Sequence, residues 1–335
     1  MYQRDIYDER YLGSGYDERS AIRVLTAESV ALREAVGRAL ESLSERNVLS
    51  VLDFAYGTGR VTNEFALAYP TGPVEGCHDL RVVAYDVSAV GLKKAATALV
   101  KLHGFDVDAP FTFEPDAAEV YVAGSVARLT KGVTVTVVFV HGSEDASPDV
   151  VRKVLTAAND DESFAVTTSW YSGIAHIPTA ARREEFFRML GEVTDARGEL
   201  LVAPSVSGDL VELQAQWLER LKTGDVGDHP IEQAGDVIYE TELGQRNFYH
   251  VFGPDLFDLL QATCSPGQRC WLEAIRMPDE EFSSRAAEAD NFRRVRDFNA
   301  RLGRQPWQPE DYRQVHTALA VRSGHPGDAE REPEN

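Results

Sequence analysis

Short apolar runs alternate along the chain with segments whose apolar residues recur at helical spacing. The most informative run covers residues 48–54, which are apolar except at Ser50 and Asp53, and it is followed by Gly57 and Gly59. The segment after the glycines has apolar residues at helical spacing. This change of period predicts a strand, a tight loop and the start of a helix. Asp53 would then lie at the carboxyl end of its strand, where open parallel sheets bind ligands.

Further apolar runs predict the remaining strands of a large sheet. Four of them are each followed by a loop or a helical pattern, and they cover residues 81–88, 133–140, 163–170 and 198–205. Two more, residues 270–276 and 316–322, are separated by a charged helical stretch over residues 280–302. Strands that alternate with helices are typical of α/β folds. We therefore predict a doubly wound, seven-stranded, mostly parallel sheet with helices on both faces.

The charge balance narrows the range of partners. The chain has 335 residues and a net charge of -20, from 54 acidic and 34 basic residues. An acidic surface repels phosphate backbones and anionic lipids, so we expect neither nucleic acid nor a membrane as partner. The simplest interpretation is that the negative charge keeps the protein soluble. A second interpretation is that it attracts cationic ligands.

The cysteines indicate a reducing compartment. Cys77, Cys264 and Cys270 form no C-x-x-C pair, so the sequence predicts neither a disulfide framework nor a metal site. The first residues contain no apolar stretch of the kind found in secretory signals. We expect a cytoplasmic protein.

The glycine loop resembles a known cofactor motif. Residues 53–59 read D-x-x-x-G-x-G, whereas a dinucleotide fingerprint would need a third glycine where Thr62 stands. The pattern resembles motif I of the class I S-adenosylmethionine (SAM) dependent methyltransferases, acid-x-G-x-G-x-G, except that Ala55 replaces the first glycine. The resemblance covers residues 48–206 and implies SAM as cofactor and an antiparallel last strand.

The resemblance also suggests a domain organisation. Residues 1–46 form an N-terminal extension with an amphipathic helix over 21–46, which either covers the site as a lid or packs on the sheet edge. The SAM-binding core spans residues 47–207, with a β-hairpin insertion at about 111–131. A substrate-side cap follows at 208–253, the rest of the core with the two closing strands at 254–322, and a polar, disordered tail at 323–335.

Acids at the ends of the second and third parallel strands complete the expected cofactor site. Asp86 can accept hydrogen bonds from both ribose hydroxyls of an adenosine, or cap the following helix, and NAD enzymes use an acid in the same place. Glu144 and Asp145 are both candidates for the adenine amino group, or they cap the next helix. The predicted cofactor residues are Asp53, Ala55, Tyr56, Gly57, Thr58, Gly59, Asp86, Val87, Glu144, Asp145, Ser169 and Trp170.

The catalytic and substrate residues are predicted from the loops beyond the fourth strand and from the cap. His176 lies in the segment S-G-I-A-H-I-P and is a candidate general base because a histidine titrates near neutral pH, although a structural role is the alternative. The catalytic candidates are Tyr171, His176, Glu242 and His250. The substrate-binding candidates are Tyr11, Tyr16, Tyr239 and Tyr249, since aromatic rings and acids suit an amine or guanidine.

Three functions are consistent with this pattern. The favoured one is a SAM-dependent methyltransferase of small molecules, with N-methylation of an amino-acid-like or natural-product amine preferred over O- or C-methylation. An NAD(P)-dependent oxidoreductase and a methyltransferase-like binding protein without activity are the alternatives. The sequence leaves the oligomeric state open. A homodimer whose subunits exchange their N-terminal segments is one of the options.

Overall fold

The chain is organised around one large sheet, as seen in a computed structural model. The structure describes residues 7–8, 16–70, 78–114, 118–170, 173–221, 230–241, 244–277, 285–302 and 307–324. In residues 16–26 and 285–289 it describes the backbone alone.

The strands and helices of the described ranges are as follows. The strands are β1 Val48–Phe54, β2 Asp79–Asp86, β3 Asp106–Ala109, β4 Tyr121–Thr130, β5 Val133–His141, β6 Phe164–Ser169, β7 Thr194–Val202, β8 Asp236–Glu240, β9 Arg246–His250, β10 Arg269–Arg276 and β11 Thr317–Ser323. The helices are α1 Tyr16–Ser42, α2 Arg60–Ala68, α3 Ala89–His103, α4 Pro148–Ala158, α5 Ala180–Val193, α6 Leu210–Arg220, α7 Asp255–Gln261, α8 Arg285–Leu302 and α9 Pro309–Tyr312.

The strand order confirms the predicted doubly wound sheet. Nine strands pair in the order β10-β11-β7-β6-β1-β2-β5-β4-β3, and β8 pairs with β9 in a separate ribbon. Strands β5, β2, β1, β6 and β7 are parallel to their neighbours in that series. The last strand, β11, lies between β7 and β10 and runs antiparallel to both. An antiparallel last strand is the arrangement that the resemblance implied.

Apolar cores on both faces of the sheet explain why the central strands read as continuous apolar runs. In β1, Leu49 and Val51 belong to one buried cluster, whereas Leu52 and Phe54 belong to the other. Successive side chains of a strand point to opposite faces, so a strand covered on both sides needs apolar residues at successive positions. Helices α1, α2 and α3 pack on the first face, and α4, α5, α7 and α8 pack on the second.

The predicted hairpin insertion is present, but its first strand lies elsewhere. The sequence placed that strand at residues 111–113, whereas the structure forms β3 at Asp106–Ala109 and pairs it with β4. The two strands extend the edge of the main sheet, so the sheet has two strands more than the seven expected. Residues of β3 are mostly exposed, and an edge strand of this kind carries no apolar pattern by which it could be recognised.

The β8–β9 ribbon is attached to the core by a buried ionic cluster. Arg183 of α5 donates to Asp236 over 3.1 Å, and the same carboxylate oxygen lies 2.8 Å from Nδ1 of His250. All three side chains are buried. Because the cluster joins both strands of the ribbon to α5, it sets the position of the ribbon relative to the sheet.

The helices give no indication of a membrane span. Within the described ranges, no helix is both long enough and apolar enough to cross a bilayer.

A second buried ion pair connects helix α1 to the sheet. Glu199 of β7 is fully buried and accepts hydrogen bonds from Nε and Nη2 of Arg38, at 3.1 and 3.2 Å. The hydroxyl of Ser323 in β11 donates to the same carboxylate over 2.6 Å. Two parallel N–H···O bonds to a buried carboxylate make a strong pair whose loss leaves a buried charge poorly compensated.

We expect Arg38→Ala to lower the free energy of unfolding by roughly 2 to 4 kcal/mol, since it removes the charged donor of two hydrogen bonds to the buried Glu199 carboxylate. Urea unfolding followed by circular dichroism measures the change. Arg33→Ala is the matched control, because Arg33 lies on the same helix and pairs with Glu64 with both side chains more than 40% exposed (44% and 46%). The control should cost at most about 1 kcal/mol. Equal costs for the two variants would contradict the role of Glu199.

Candidate active site

A cavity of about 730 Å³ lies at the carboxyl edge of the parallel strands. The loops after β1, β2, β5 and β6 line one half of it. The other half is lined by residues 205–209, the β8–β9 ribbon and the segment that leads into β11. The volume is typical of small-molecule sites, and the position is where doubly wound sheets bind ligands.

The loop after β1 turns through three residues in the left-handed backbone region. Their φ angles are 64° at Ala55, 58° at Gly57 and 71° at Gly59. Alanine adopts this conformation at some cost, so the site keeps at Ala55 the backbone shape for which a glycine is the usual residue. A side chain on Gly59 would overlap the ring of Tyr56. The departure from the motif at Ala55 therefore leaves the turn intact.

Asp86 connects this loop to the end of β2. One carboxylate oxygen accepts the backbone N–H of Gly57 over 2.7 Å, and the other accepts the N–H of Ser88 over 2.7 Å. Burial raises the pKa of Asp86 to about 6, although the backbone hydrogen bonds from Ser88, Gly57 and Val87 act in the opposite direction. A carboxylate has about four acceptor positions, and Val87 contributes a third backbone hydrogen bond, so Asp86 keeps about one position for a ligand.

Asp53 is a buried acid with an unused acceptor. Its Oδ2 accepts the hydroxyl of Thr62 over 2.5 Å, whereas its Oδ1 is buried and has no hydrogen bond of good geometry among the described residues. Burial raises the pKa of Asp53 to about 7; the hydroxyls of Thr62 and Thr168 lower it, and the charge of Asp86 raises it further. An unsatisfied buried oxygen is costly, and a ligand that donates to it would remove that cost.

The loops after β5 and β6 show which of the two candidate acids, Glu144 or Asp145, reaches the cavity. Glu144 lines the cavity, whereas Asp145 is exposed and does not. Arg182 of α5 holds this loop by donating to the carbonyl oxygens of Glu144 and Ala146, the second over 2.9 Å. Trp170 lines the cavity, and its buried Nε1 donates to no described residue.

Most of the predicted cofactor residues thus lie on one wall. Those that line the cavity are Asp53, Ala55, Tyr56, Gly57, Thr58, Asp86, Val87, Glu144 and Trp170. The others are Gly59, which begins α2, the exposed Asp145, and Ser169, which is completely buried at the end of β6.

His176 lies at the boundary between the two halves of the cavity. It ends a short 3-10 helix, Gly173–His176, and its Nδ1 lies 3.0 Å from the carbonyl oxygen of Phe248 in β9. Its Nε2 lies 2.5 Å from the hydroxyl of Tyr7. A carbonyl oxygen can only accept, so Nδ1 carries the proton, and the Nε2 of the neutral ring accepts the Tyr7 O–H.

His250 has a different position from the one expected of a catalytic residue. Its side chain is fully buried between Asp236, Gln233 and Asp255, and it does not line the cavity. The structure therefore places it in the cluster that anchors the ribbon. The sequence did not distinguish these positions, because adjacent residues of a strand point to opposite faces and Tyr249, its neighbour, lines the cavity.

Several predicted residues lie outside the described part of the chain. These are Tyr11, Tyr171 and Glu242, and for Tyr16 the backbone alone is described.

A series of aromatic rings forms the wall between the two halves. The centroid distances are 5.2 Å for Tyr7–His176, 5.0 Å for His176–Tyr249, 6.4 Å for Tyr249–Tyr239 and 6.3 Å for Tyr239–Trp217. All five rings line the cavity. The predicted Tyr239 and Tyr249 are therefore placed together. Tyr7 and Trp217 were not predicted, although a tyrosine-rich N-terminus and a tryptophan on α6 were the available signals.

Basic residues line the cavity on the side of β10 and β11. Arg276 ends β10, and Arg313 pairs with Asp209 over 3.0 Å. The pKa of His316 is lowered by burial and by the nearby charge of Arg276. This half of the site is therefore more basic than the acidic composition of the chain suggested, and the sequence analysis missed it.

The side chains do not form a metal centre within the described ranges. There, no group of three or more His, Cys, Asp or Glu side chains is arranged to hold a metal ion.

Comparison with known proteins was made by sequence and by structure. No family model and no curated protein matches the sequence. Similar solved structures include the CcbJ methyltransferase from Streptomyces caelestis (14% identity, 96% of this chain and 95% of that chain, TM-score 0.43). Another is the sugar N-methyltransferase KedS8 from Streptoalloteichus sp (14% identity, 96% of this chain and 95% of that chain, TM-score 0.42). A third is the plantazolicin methyltransferase BamL in complex with SAH (12% identity, 95% of this chain and 89% of that chain, TM-score 0.44). Such low identities and TM-scores carry no conclusion about the chemistry of this chain.

We expect Asp53→Asn to stabilise the ligand-free protein in a pH-dependent way. The pKa of Asp53 is about 7 in the folded protein, against an ordinary value of 3.8 for a solvated aspartate, so between about pH 4 and 7 the unfolded chain releases a proton that the folded protein keeps. The wild type therefore loses stability as the pH rises through this window, and the variant loses less, because Asp86 still titrates there but Asp53 no longer does. Thermal unfolding from pH 4 to 8 should show a difference in Tm that grows up to about pH 7.

Asp145→Asn is the control, because it also replaces an acid by its amide but at an exposed position that does not line the cavity. A constant difference in Tm for Asp53→Asn across the whole range would show that the folded protein keeps Asp53 ionised.

Proposed function

We propose that the protein is a SAM-dependent methyltransferase that acts on a small molecule. The observation that carries the proposal is the joint position of Asp86, Gly57 and Asp53 on one wall of the cavity. Two buried acids with spare acceptor positions, next to a loop whose backbone approaches the cavity closely, suit a ligand rich in hydroxyl and amino donors. An adenosine that carries an amino acid is such a ligand.

The residues of this wall fit the cofactor. Asp86 keeps an acceptor position for a ribose hydroxyl, Glu144 lines the cavity and is our candidate for the adenine amino group, and the unused Oδ1 of Asp53 can accept from a further donor. When bound, SAM supplies a methyl group activated by a sulfonium. The chain then has to orient the substrate and exclude water, because proximity and alignment account for most of what such a displacement needs.

The topology counts against a dinucleotide-dependent oxidoreductase. The dinucleotide fold has the strand order 3-2-1-4-5-6, whereas here the last strand, β11, is inserted antiparallel between β7 and β10. Thr62 stands where the fingerprint needs its third glycine, and its hydroxyl holds Asp53. Thr62, which replaces the third glycine of the dinucleotide fingerprint, therefore orients Asp53 in the cavity wall.

The substrate half of the cavity favours an amine that also bears an anionic group. The aromatic wall can stabilise a cationic amine by cation–π contacts. Arg276 and Arg313 can bind a carboxylate. The substrate carboxylate would compete with Asp209 for the guanidinium of Arg313. We therefore propose N-methylation of an amino-acid-like substrate, with its carboxylate towards the arginines and its amine towards His176.

The first prediction is that the purified protein binds S-adenosylhomocysteine with micromolar affinity and does not bind NADH, as measured by calorimetric titration. Asp86→Asn should weaken the binding about 10- to 100-fold, because hydrogen bonds to a charged group contribute about 1.5 to 3 kcal/mol. Asp145→Asn should bind like the wild type, since Asp145 lies away from the cavity. Binding of NADH alone would refute the proposal. Binding of S-adenosylhomocysteine without methyl transfer to any substrate tested would favour the inactive binding protein.

The second prediction concerns the substrate. In a mass-spectrometric screen for methyl gain, amines with a carboxylate should be methylated in preference to their decarboxylated analogues. Arg276→Gln should raise KM for the carboxylate-bearing substrates about 10- to 100-fold and change kcat little, since it removes a charged hydrogen bond. Arg293→Gln, an exposed arginine of α8 that pairs with Asp290, is the control and should change neither constant. Equal turnover of the decarboxylated analogues would contradict the carboxylate site.

A further inference from the structure

Two N-terminal residues bridge the cavity above the loop that follows β1. Asp8 accepts the hydroxyl of Ser88 over 2.5 Å and the backbone N–H of Val90 over 3.3 Å, at the start of α3. Tyr7, the preceding residue, contacts His176 on the other side, in the segment that follows β6. Strands β2 and β6 are the two neighbours of β1 in the sheet, so this pair of residues crosses over the end of β1.

The contact of Tyr7 with His176 has a defined direction. Because Nδ1 carries the ring proton and donates to the Phe248 carbonyl oxygen, Nε2 of the neutral ring accepts a hydrogen bond from the Tyr7 hydroxyl. The distance of 2.5 Å is at the short end for a hydrogen bond of a hydroxyl. The two rings are nearly perpendicular, at 82°, and Tyr249 packs edgewise on the imidazole from a distance of 5.0 Å. The imidazole is therefore fixed in position, tautomer and partner.

This geometry separates His176 from the substrate. A substrate cannot use Nε2 as its own base while the Tyr7 hydroxyl lies against it. Tyr7 lines the cavity, and a tyrosine hydroxyl is an acceptor as well as a donor of hydrogen bonds. On the aromatic side of the cavity, Tyr7 is therefore a group that can accept a proton from a bound substrate, and His176 can take the proton from Tyr7.

We propose that Tyr7 is a catalytic residue that transfers the substrate's proton to His176, an inference that depends on the proposed methyltransferase function. The protonated amine of the substrate gives a proton to the Tyr7 oxygen as the Tyr7 hydroxyl proton passes to Nε2. The amine gains the lone pair that it needs for attack, Tyr7 stays neutral, and the imidazole becomes a cation. Its Nδ1–H keeps donating to the Phe248 carbonyl oxygen, which stabilises that cation.

A first experiment tests the hydrogen bond without any substrate. In nitrogen NMR spectra of the labelled protein, His176 should be the tautomer with the proton on Nδ1. Tyr7→Phe should move the Nε2 resonance towards that of a ring nitrogen without a hydrogen bond. Tyr249→Phe is the matched control, because it removes the hydroxyl of the other ring against His176, which bonds to Ser205 instead. It should leave the Nε2 resonance in place. An unchanged resonance in Tyr7→Phe would overturn the proposal.

A second experiment tests the transfer itself, with the amine found in the screen. Tyr7→Phe should lower kcat about 10²- to 10⁴-fold, the usual contribution of a proton-transferring group, and leave KM and the affinity for S-adenosylhomocysteine within about threefold. The double variant Tyr7→Phe/His176→Gln should be no slower than the slower single variant, since the two residues act as a unit. A residue that only holds the segment closed would instead weaken cofactor affinity and show additive effects.

The outcomes distinguish this inference from the proposed function. If the wild type binds S-adenosylhomocysteine and Tyr7→Phe turns over at the wild-type rate, the role of Tyr7 is wrong and the methyltransferase function stands. If the wild type binds no S-adenosylhomocysteine, the proposed function fails and the proton transfer fails with it. The melting temperature of Tyr7→Phe should equal that of the wild type, because its ring lies at the cavity rather than in the core.

Discussion

The hydrogen bond from the Gly57 N–H to the carboxylate of Asp86 is the interaction on which the candidate site depends. It joins the loop after β1 to the end of β2, so the glycine turn and the acid become parts of one wall. The bond requires the left-handed turn at Ala55, Gly57 and Gly59, which brings the backbone N–H to the carboxylate. Asp53 lies on the same wall, where it accepts a hydrogen bond from Thr62. Among the described contacts, no basic side chain donates a hydrogen bond to the carboxylate of Asp53 or to that of Asp86.

This arrangement is costly for the folded protein. Burial raises the pKa of both Asp53 and Asp86 towards neutral pH, so at pH 8 the protein keeps two charges in a poorly solvated place. Two other buried acids of the described residues are paired with arginines, Glu199 with Arg38 and Asp236 with Arg183. A ligand with many hydrogen-bond donors needs acids that are not already paired with a cation. Such unpaired acids lower the stability of the folded protein, as is common at functional sites.

The second half of the site is built from parts that lie far apart in the chain. His176 follows β6, its Nδ1 is held by β9, and its Nε2 faces Tyr7 near the N-terminus. The buried cluster of Arg183, Asp236 and His250 sets the position of β9 and so the position of the carbonyl that orients the imidazole. His250 thus contributes to the site by positioning the ribbon, although it does not line the cavity.

The sequence by itself determined the parallel strands, their order of appearance and the acids at their ends. It could do so because a strand buried on both faces must be continuously apolar, and because glycine and aspartate at its end are required by local backbone geometry and hydrogen bonding. The edge strand β3, the position of Glu144 rather than Asp145 at the cavity, the burial of His250 and the pairing of Tyr7 with His176 were decided only by the tertiary structure. An exposed edge strand has no apolar pattern, adjacent residues differ only in the face to which they point, and a contact across 169 positions is set by packing rather than by local sequence.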